Sequence, residues 1–269
     1  MRGVLARSFL RGFRVFERLS EVRGRLSSLA KGRGCYNGFM KRNEVIARLK
    51  AKQDVKYRDF HSGLCPGTAN IIGVRIPEQR RLAAEIARGD FAEFLREARG
   101  EFYEELTVEG LVIATASIGF QERLELLRRF VPKINSWATC DTVCASLWFR
   151  PDEFGEGWRF ITSYLQSDRE FELRFMFVMM LDHFMKAEYI DGVLAAVSAV
   201  RSESYYVKMA QAWLVAEVFI KFREAGLEFL RGDNMLPWTQ NKAIQKIRES
   251  YRVSDADKEL VKSLKKVRI

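Results

Sequence analysis

The feature that most constrains the fold is a succession of segments with helical periodicity that starts at Met40. The segment NEVIARLKAKQ, for example, places Val45, Ile46 and Leu49 on one face. Pro77 stands at the start of another segment, where its missing N–H costs nothing. Valine and isoleucine occur, but no alternating run bounded by hairpin turns is present. The sequence therefore predicts an all-α fold.

The helical segments come in pairs with short joins, and the pairs recur about every 35–45 residues, which is typical of HEAT-type repeats. One pair cannot bury its apolar face alone, whereas stacked pairs bury it and curve the row. We expect residues 40–269 to form one domain, a HEAT-like helical-repeat solenoid (an α-α superhelix). Its concave face would accept a long, smooth ligand such as a DNA duplex.

Residues 1–39 carry most of the positive charge. Of the net charge of +10, these residues contribute +7, which leaves +3 for residues 40–269. Three interpretations of this Arg-rich segment stay open: an organellar transit peptide, a basic DNA-binding arm, or a start placed upstream of the true one. In each case we expect residues 1–39 to lie outside the fold.

Composition argues against several other classes of protein. No apolar run approaches the roughly 18 residues that span a bilayer, so no membrane association is predicted. The four cysteines form no C-x-x-C pair, and only His61 and His183 could add imidazole ligands. We therefore predict no metal and no cofactor. Cys140 and Cys144 are expected to be reduced thiols buried in a helix.

Four residues form the candidate site. In VPKINSWATCDTVCASL, Trp137 and Asp141 are four residues apart, which places them on one face of a helix. Arg174 in ELRF and Trp213 in AQAW would come from two later helices. Two aromatic faces, an acid and a guanidinium suit a cationic or nucleotide-like ligand. Each residue also has a plainer interpretation, since both tryptophans could be core and Arg174 could be a buried partner of Asp141 or Asp182.

Five blocks carry a family resemblance, in this order along the chain: GVRIPEQRRLA, VPKINSWATCD, FELRFMFVMMLD, YYVKMAQAW and KAIQKIRESYRVS. Together they resemble the AlkD-like DNA alkylation repair family, over nearly all of residues 40–255. The resemblance implies a HEAT-like solenoid. It also implies a DNA glycosylase that removes cationic N3- and N7-alkylated purines without flipping the base into a pocket.

The resemblance also implies roles for the four site residues. Trp137 and Asp141 match the family's W-x-x-x-D, and Arg174 and Trp213 match the arginine and tryptophan of the next two repeats. A cationic purine is a good leaving group and needs no general acid. Asp141 would stabilise the oxocarbenium-like sugar and orient the attacking water, with both indoles facing the sugar and the cation. Arg174 would hold a backbone phosphate.

Basic residues elsewhere are candidate phosphate contacts, with solvated helix faces as the alternative: Lys208, Lys242, Lys246 and Arg248. Tyr57 and Arg75 fall near positions that touch DNA in the family. The loop LCPGTANIIGV lies between them and is longer than in the simplest active pattern, so excision could be absent even with Asp141 in place.

Three functions therefore remain open at this stage. The first is a monofunctional glycosylase for alkylated purines. The second is a non-catalytic solenoid that binds damaged or branched DNA, and the third is a protein-binding solenoid. The first two predict double-stranded DNA as the partner and a monomer in the cytoplasm, associated with the nucleoid when bound to DNA. Organellar targeting by residues 1–39 stays possible.

Overall fold

The computed structural model describes residues 40–267, and every regular element in that range is a helix. The first seven α-helices are α1 Arg42–Ala51, α2 Val55–Leu64, α3 Ile76–Ile86, α4 Phe91–Glu97, α5 Tyr103–Thr115, α6 Phe120–Phe130 and α7 Trp137–Cys144. The next seven are α8 Phe154–Thr162, α9 Glu170–His183, α10 Ile190–Ala199, α11 Tyr205–Lys221, α12 Arg223–Arg231, α13 Pro237–Glu249 and α14 Asp255–Lys262. The predicted all-α class is confirmed. The prediction about residues 1–39 lies outside the described residues.

Six helices, α3, α5, α7, α9, α11 and α13, form what we call the central row, because each packs against the next. From α5 onward they begin 32 to 35 residues apart, at Tyr103, Trp137, Glu170, Tyr205 and Pro237. Helices α6, α8, α10 and α12, which lie between row members from α5 onward, and α14, which follows the last one, each pack against a member of the row. The chain therefore returns to the central row at a near-constant interval.

Helix α9 shows why the central row holds the core. Every residue from Leu173 to Leu181 is buried, including the side chain of Arg174. A helix that is apolar on all sides is stable only inside a core. Helices α7 and α11 flank α9 and supply most of its apolar neighbours. The position of Arg174 is thereby fixed from both sides.

Helix α5 joins two apolar clusters. Val108 and Leu111 belong to a smaller cluster with α1, α3 and α4, whereas Leu106 and Ile113 belong to the main core. Gly110 lets α5 approach its neighbours closely, because a Cβ there would lie 2.4 Å from Val143 Cγ2 and 2.5 Å from Phe130 Cζ. Any side chain at Gly110 would push α5 away from α6 and α7.

The segment between α2 and α3 is a loop, as predicted, and it is tightly anchored. The fully buried carboxylate of Glu104 accepts hydrogen bonds from the backbone N–H groups of Ile72, Gly73 and Val74, at 2.7 to 3.1 Å. Gly73 has φ +98°, and a Cβ there would lie 2.5 Å from Arg58 Cβ. One buried acid therefore fixes the loop that follows α2.

None of the helices within residues 40–267 has the length and apolar character needed to cross a bilayer.

Candidate active site

Helix α7 presents one strip to solvent and buries the opposite side. The hydroxyl of Ser136 accepts a hydrogen bond from the Ala138 N–H and caps the helix, so Trp137 is its first residue. Trp137 and Asp141 keep partial exposure. On the inner side, Cys140 and Cys144 are fully buried free thiols, which confirms the prediction for these two residues.

The carboxylate of Asp141 is held by the guanidinium of Arg174. Arg174 Nε donates to Asp141 Oδ1 at 2.9 Å, and Nη2 donates to Oδ2 at 2.7 Å. The side chain of Asp141 is 18% exposed, whereas that of Arg174 is only 1% exposed. The pair is therefore bidentate, with the carboxylate facing solvent and the guanidinium facing the core.

A third hydrogen bond ties Arg174 to the next helix of the row. Its Nη1 donates to the carbonyl oxygen of Tyr206 on α11 at 2.9 Å. Burial opposes the charge on Arg174, but the carboxylate of Asp141 outweighs it, so the pKa of Arg174 lies above its usual value. One guanidinium thus links α7, α9 and α11.

This geometry departs from one expectation. Arg174 was expected to hold a backbone phosphate, but its buried guanidinium already donates to Asp141 and to the Tyr206 carbonyl. The buried ion pair between Arg174 and Asp141, which was the alternative, is the arrangement found. The reason is that apolar side chains surround this part of α9. A buried charge there needs a charged partner, and Asp141 on α7 provides it.

Trp137 lies against the end of α2. Its Nε1–H donates to the carbonyl oxygen of Leu64 at 3.0 Å, and its ring packs beside Cys65 and Tyr103. Burial raises the pKa of the Cys65 thiol to about 11, so it stays protonated. The C-terminal end of α2 therefore fixes the position of the indole.

Trp213 lies on α11, partly buried against the main core. It is seven residues beyond Tyr206, which places the two on one face of α11 about 10 Å apart along the axis. The Tyr206 ring lies 5.9 Å from the guanidinium of Arg174, so the face of α11 that carries Tyr206 and Trp213 is the one turned toward the ion pair. The four predicted residues thus occupy α7, α9 and α11, three successive helices of the row.

The predicted basic residues on α13 separate into two groups. Lys242 and Lys246 share a face, and both are partly buried. Burial, together with the positive charges of Lys242 and Arg174, lowers the pKa of Lys246 to about 8. Arg248 points elsewhere, with its guanidinium 3.9 Å from Glu259 on α14. Residues 246 and 248 differ by about 200° around a helix, so they cannot share a face.

The other predicted contacts lie at two further places. Lys208 Nζ bonds to Glu203 Oε2 at 2.7 Å and lies 5.1 Å from the centre of the Trp238 ring. Tyr57 and Arg75 do come together, with the guanidinium 4.8 Å from the centre of the phenol ring. That guanidinium also bonds to Asp54, and 60% of the Arg75 side chain stays exposed.

Sequence reasoning missed three contributors. Glu104 was unremarkable in EFYEEL, although an acid in a largely apolar helix is a signal for a buried anchor. Tyr206 contributes its backbone carbonyl as a hydrogen-bond acceptor for Arg174, which no side-chain pattern reveals. Glu217 is one turn beyond Trp213 on the same face and bonds to Arg252 at 2.5 Å. It places an ion pair on the side of α11 that carries the indole.

Comparison with protein families gives a match. A family model described as DNA alkylation repair enzyme matches residues 45–247. The chain belongs to this family. The predicted membership is confirmed, and it places the protein in DNA alkylation repair. None of the curated proteins compared with the chain matches it.

The region matched in the DNA alkylation repair enzyme family runs from α1 to α13 and therefore includes Trp137, Asp141, Arg174 and Trp213. In the part of the chain that the structure describes, no group of three histidine, cysteine, aspartate or glutamate side chains could hold a metal ion. The candidate site is thus built from one ion pair and aromatic faces.

Proposed function

We propose that this member of the DNA alkylation repair enzyme family is a DNA glycosylase that removes cationic N3- or N7-alkylated purines from duplex DNA. The observation that carries the proposal is the bidentate pair between Asp141 and Arg174, in which the acid keeps contact with solvent beside Trp137. The reaction is hydrolysis of the N-glycosidic bond, with the base left unflipped. Double-stranded DNA is the partner and the chain acts as a monomer.

The proposed shape follows from the central row. Its helices return every 32 to 35 residues and carry the site on α7, α9 and α11. Such a row is typical of a HEAT-like solenoid, whose concave face is formed by one helix of each pair. We place the duplex along that face, with the lesion opposite Asp141.

The reaction needs a negative charge near the sugar rather than a general acid that protonates the leaving base. Alkylation at N3 or N7 gives the purine a positive charge, so it leaves as a neutral base without protonation. The sugar develops oxocarbenium character, and a fixed carboxylate stabilises that charge more in the transition state than in the ground state. A lone pair of Asp141 not used by Arg174 would accept a proton from the attacking water.

Arg174 acts as a positioning residue in this proposal. Its two hydrogen bonds to Asp141 fix the plane of the carboxylate, and its positive charge lies directly against that carboxylate. The indoles of Trp137 and Trp213 would face the cationic nucleotide, at roughly 0.5–2 kcal/mol each. A rigid, ionised acid between aromatic faces is what the reaction requires.

The test is release of free base from a duplex that contains a single 7-methylguanine. We expect the protein to release 7-methylguanine and to leave the charge-neutral lesion 1,N6-ethenoadenine in an otherwise identical duplex. Release of the neutral base at an equal rate would contradict the role of substrate charge. Absence of release from either duplex would reject the glycosylase.

A second candidate, a non-catalytic binder of damaged or branched DNA, is favoured by a specific observation. Both oxygens of Asp141 already accept hydrogen bonds from Arg174, which leaves the carboxylate less available to water. This function predicts tighter binding to a four-way junction than to plain duplex, together with no base release. Equal affinity for the two DNA forms would count against it.

A further inference from the structure

Arg80 on α3 is a partly buried arginine with almost no protein partner. Its Nη1 donates to Ser146 Oγ at 2.7 Å, and its guanidinium makes no other hydrogen bond to residues 40–267. No carboxylate in that range lies within ion-pair distance of it. An arginine has five N–H donors, so most of those on Arg80 have no protein acceptor.

Two other shielded arginines in the described chain, Arg42 and Arg123, are better matched. Arg42 bonds to the carboxylates of Glu101 and Glu105. Arg123 donates to the carbonyl oxygens of Ile113 and Ala116. At Arg80 burial lowers the pKa, and no nearby negative charge offsets it. The unpaired nitrogens of Arg80 are not buried, so its N–H groups reach solvent and can donate to an acceptor from outside the chain.

Ser146 places this guanidinium at one edge of the solvent-accessible half of α7, which also includes Asp141. The solvent-accessible residues of α7 and the turn after it are Trp137, Asp141, Thr142, Ala145 and Ser146. The Ser146 hydroxyl donates to the Thr142 carbonyl at 2.7 Å, which leaves its lone pairs free to accept from Arg80. Ser146 is five residues beyond Asp141, which is about 7.5 Å along the axis and about 140° around it if the helix continues.

We propose that Arg80, oriented by Ser146, binds a backbone phosphate of the DNA strand that lies along α7. The proposal rests on the proposed DNA-directed function and adds a phosphate-binding site to it. A phosphodiester oxygen fits because arginine donors bind phosphates in pairs and are rarely left without acceptors. Arg80 thereby takes the phosphate-binding role that the buried Arg174 cannot fill.

The alternative is a purely structural role. Ser146 follows the C-terminal end of α7, where a positive charge stabilises the helix dipole. A structural Arg80 would support folding and would make no difference to the salt dependence of DNA binding. These two roles predict opposite results for one substitution.

The experiment measures duplex binding by fluorescence anisotropy for the full chain and for Arg80→Gln, across about 50 to 200 mM salt. Loss of one phosphate contact should weaken binding about tenfold at the low end. It should also reduce the slope of log affinity against log salt by about 0.9. Across that range the affinity of the variant should therefore fall about 3.5-fold less than that of the wild type.

Three matched variants separate charge from fold. Arg81→Gln removes the neighbouring arginine, whose side chain is 70% exposed and pairs with Glu78, and it should leave the slope unchanged. Arg80→Lys keeps the charge and should keep the slope. Ser146→Ala removes only the orienting hydroxyl, so affinity should fall by a smaller factor with the slope unchanged. The melting temperature of Arg80→Gln should equal or exceed that of the wild type.

An unchanged slope in Arg80→Gln, or a lower melting temperature with unchanged binding, would overturn the phosphate site in favour of the structural role. A wild-type chain that binds no duplex at low salt would overturn it as well. A base-release assay distinguishes failure of the Arg80 phosphate site from failure of the proposed glycosylase function. If the wild type releases 7-methylguanine but Arg80→Gln keeps its slope, only the phosphate site fails; if the slope changes but no base is released, only the glycosylase fails.

Discussion

Helices α5 and α7 both carry acids, and the two helices use them in opposite ways. On α5, Glu104 accepts three backbone N–H groups, and Glu105 bonds to Arg42 and to the backbone of Arg99. Both side chains are fully buried. On α7, Asp141 keeps 18% of its side chain exposed and bonds to a single arginine.

The difference separates an acid whose oxygens are occupied by the fold from one that keeps contact with solvent. The oxygens of Glu104 are occupied by a loop that would otherwise leave three buried donors without acceptors. Asp141 has one charged partner, retains contact with solvent and stands one turn from an indole. A carboxylate of the first kind fixes chain segments, whereas one of the second kind can act on a ligand.

The largest expected effect is on folding, at Glu104. Glu104→Ala leaves the N–H groups of Ile72, Gly73 and Val74 without acceptors, so we expect the free energy of unfolding to fall by about 3–5 kcal/mol. Urea denaturation measures it. The matched control is Glu101→Ala, because Glu101 is 54% exposed and should cost less than about 1 kcal/mol. Equal losses at Glu101 and Glu104 would remove the distinction drawn for α5.

The next largest effect is on stability and concerns the ion pair between Asp141 and Arg174. Asp141→Asn keeps an acceptor but leaves the buried charge of Arg174 uncompensated, so we expect a loss of roughly 3 kcal/mol in stability. The double variant Asp141→Asn with Arg174→Gln removes both charges and should recover most of that loss. Thermal unfolding of the three proteins measures the coupling. A double variant less stable than Asp141→Asn would show that Arg174 is not stabilised mainly through Asp141.

A third effect depends on pH and concerns Lys246. Its pKa of about 8 in the folded chain is below the unfolded value, so the folded state binds fewer protons as pH rises above about 8. The cost of burying the charge is therefore fully present below pH 8 and is relieved between about pH 8 and 10.5. Lys246→Met should raise stability by up to about 3 kcal/mol near neutral pH and by much less near pH 10. An equal gain at both pH values would contradict this assignment.

The smallest effect separates the two groups of basic residues on α13. Lys242→Gln should reduce the salt slope of duplex binding by about 0.9 if Lys242 contacts a phosphate. Arg248→Gln should leave the slope unchanged, because Arg248 faces Glu259 on α14. Anisotropy titrations at several salt concentrations test both. A change at Arg248 without one at Lys242 would place the DNA on the opposite side of α13.

Sequence periodicity was sufficient for the fold class and for the helices that carry Trp137, Asp141, Arg174 and Trp213. It could not predict the partner of the Arg174 side chain, because spacing within one helix does not show which neighbouring helix a buried charge will contact. It also missed Glu104 and Arg80. The first acts on backbone N–H groups 30 to 32 residues away, and the second is recognised by the partners it lacks.

The most direct test of the central claim is the single-turnover rate of 7-methylguanine release by the wild type and by Asp141→Asn, each corrected for its folded fraction. Glu101→Ala, which alters an exposed acid on the loop before α5, serves as the control and should keep the wild-type rate. Loss of a preorganised charge typically costs about 100- to 1,000-fold, and we expect that loss for Asp141→Asn. Equal release by wild type and Asp141→Asn, or none by the wild type, would contradict the account.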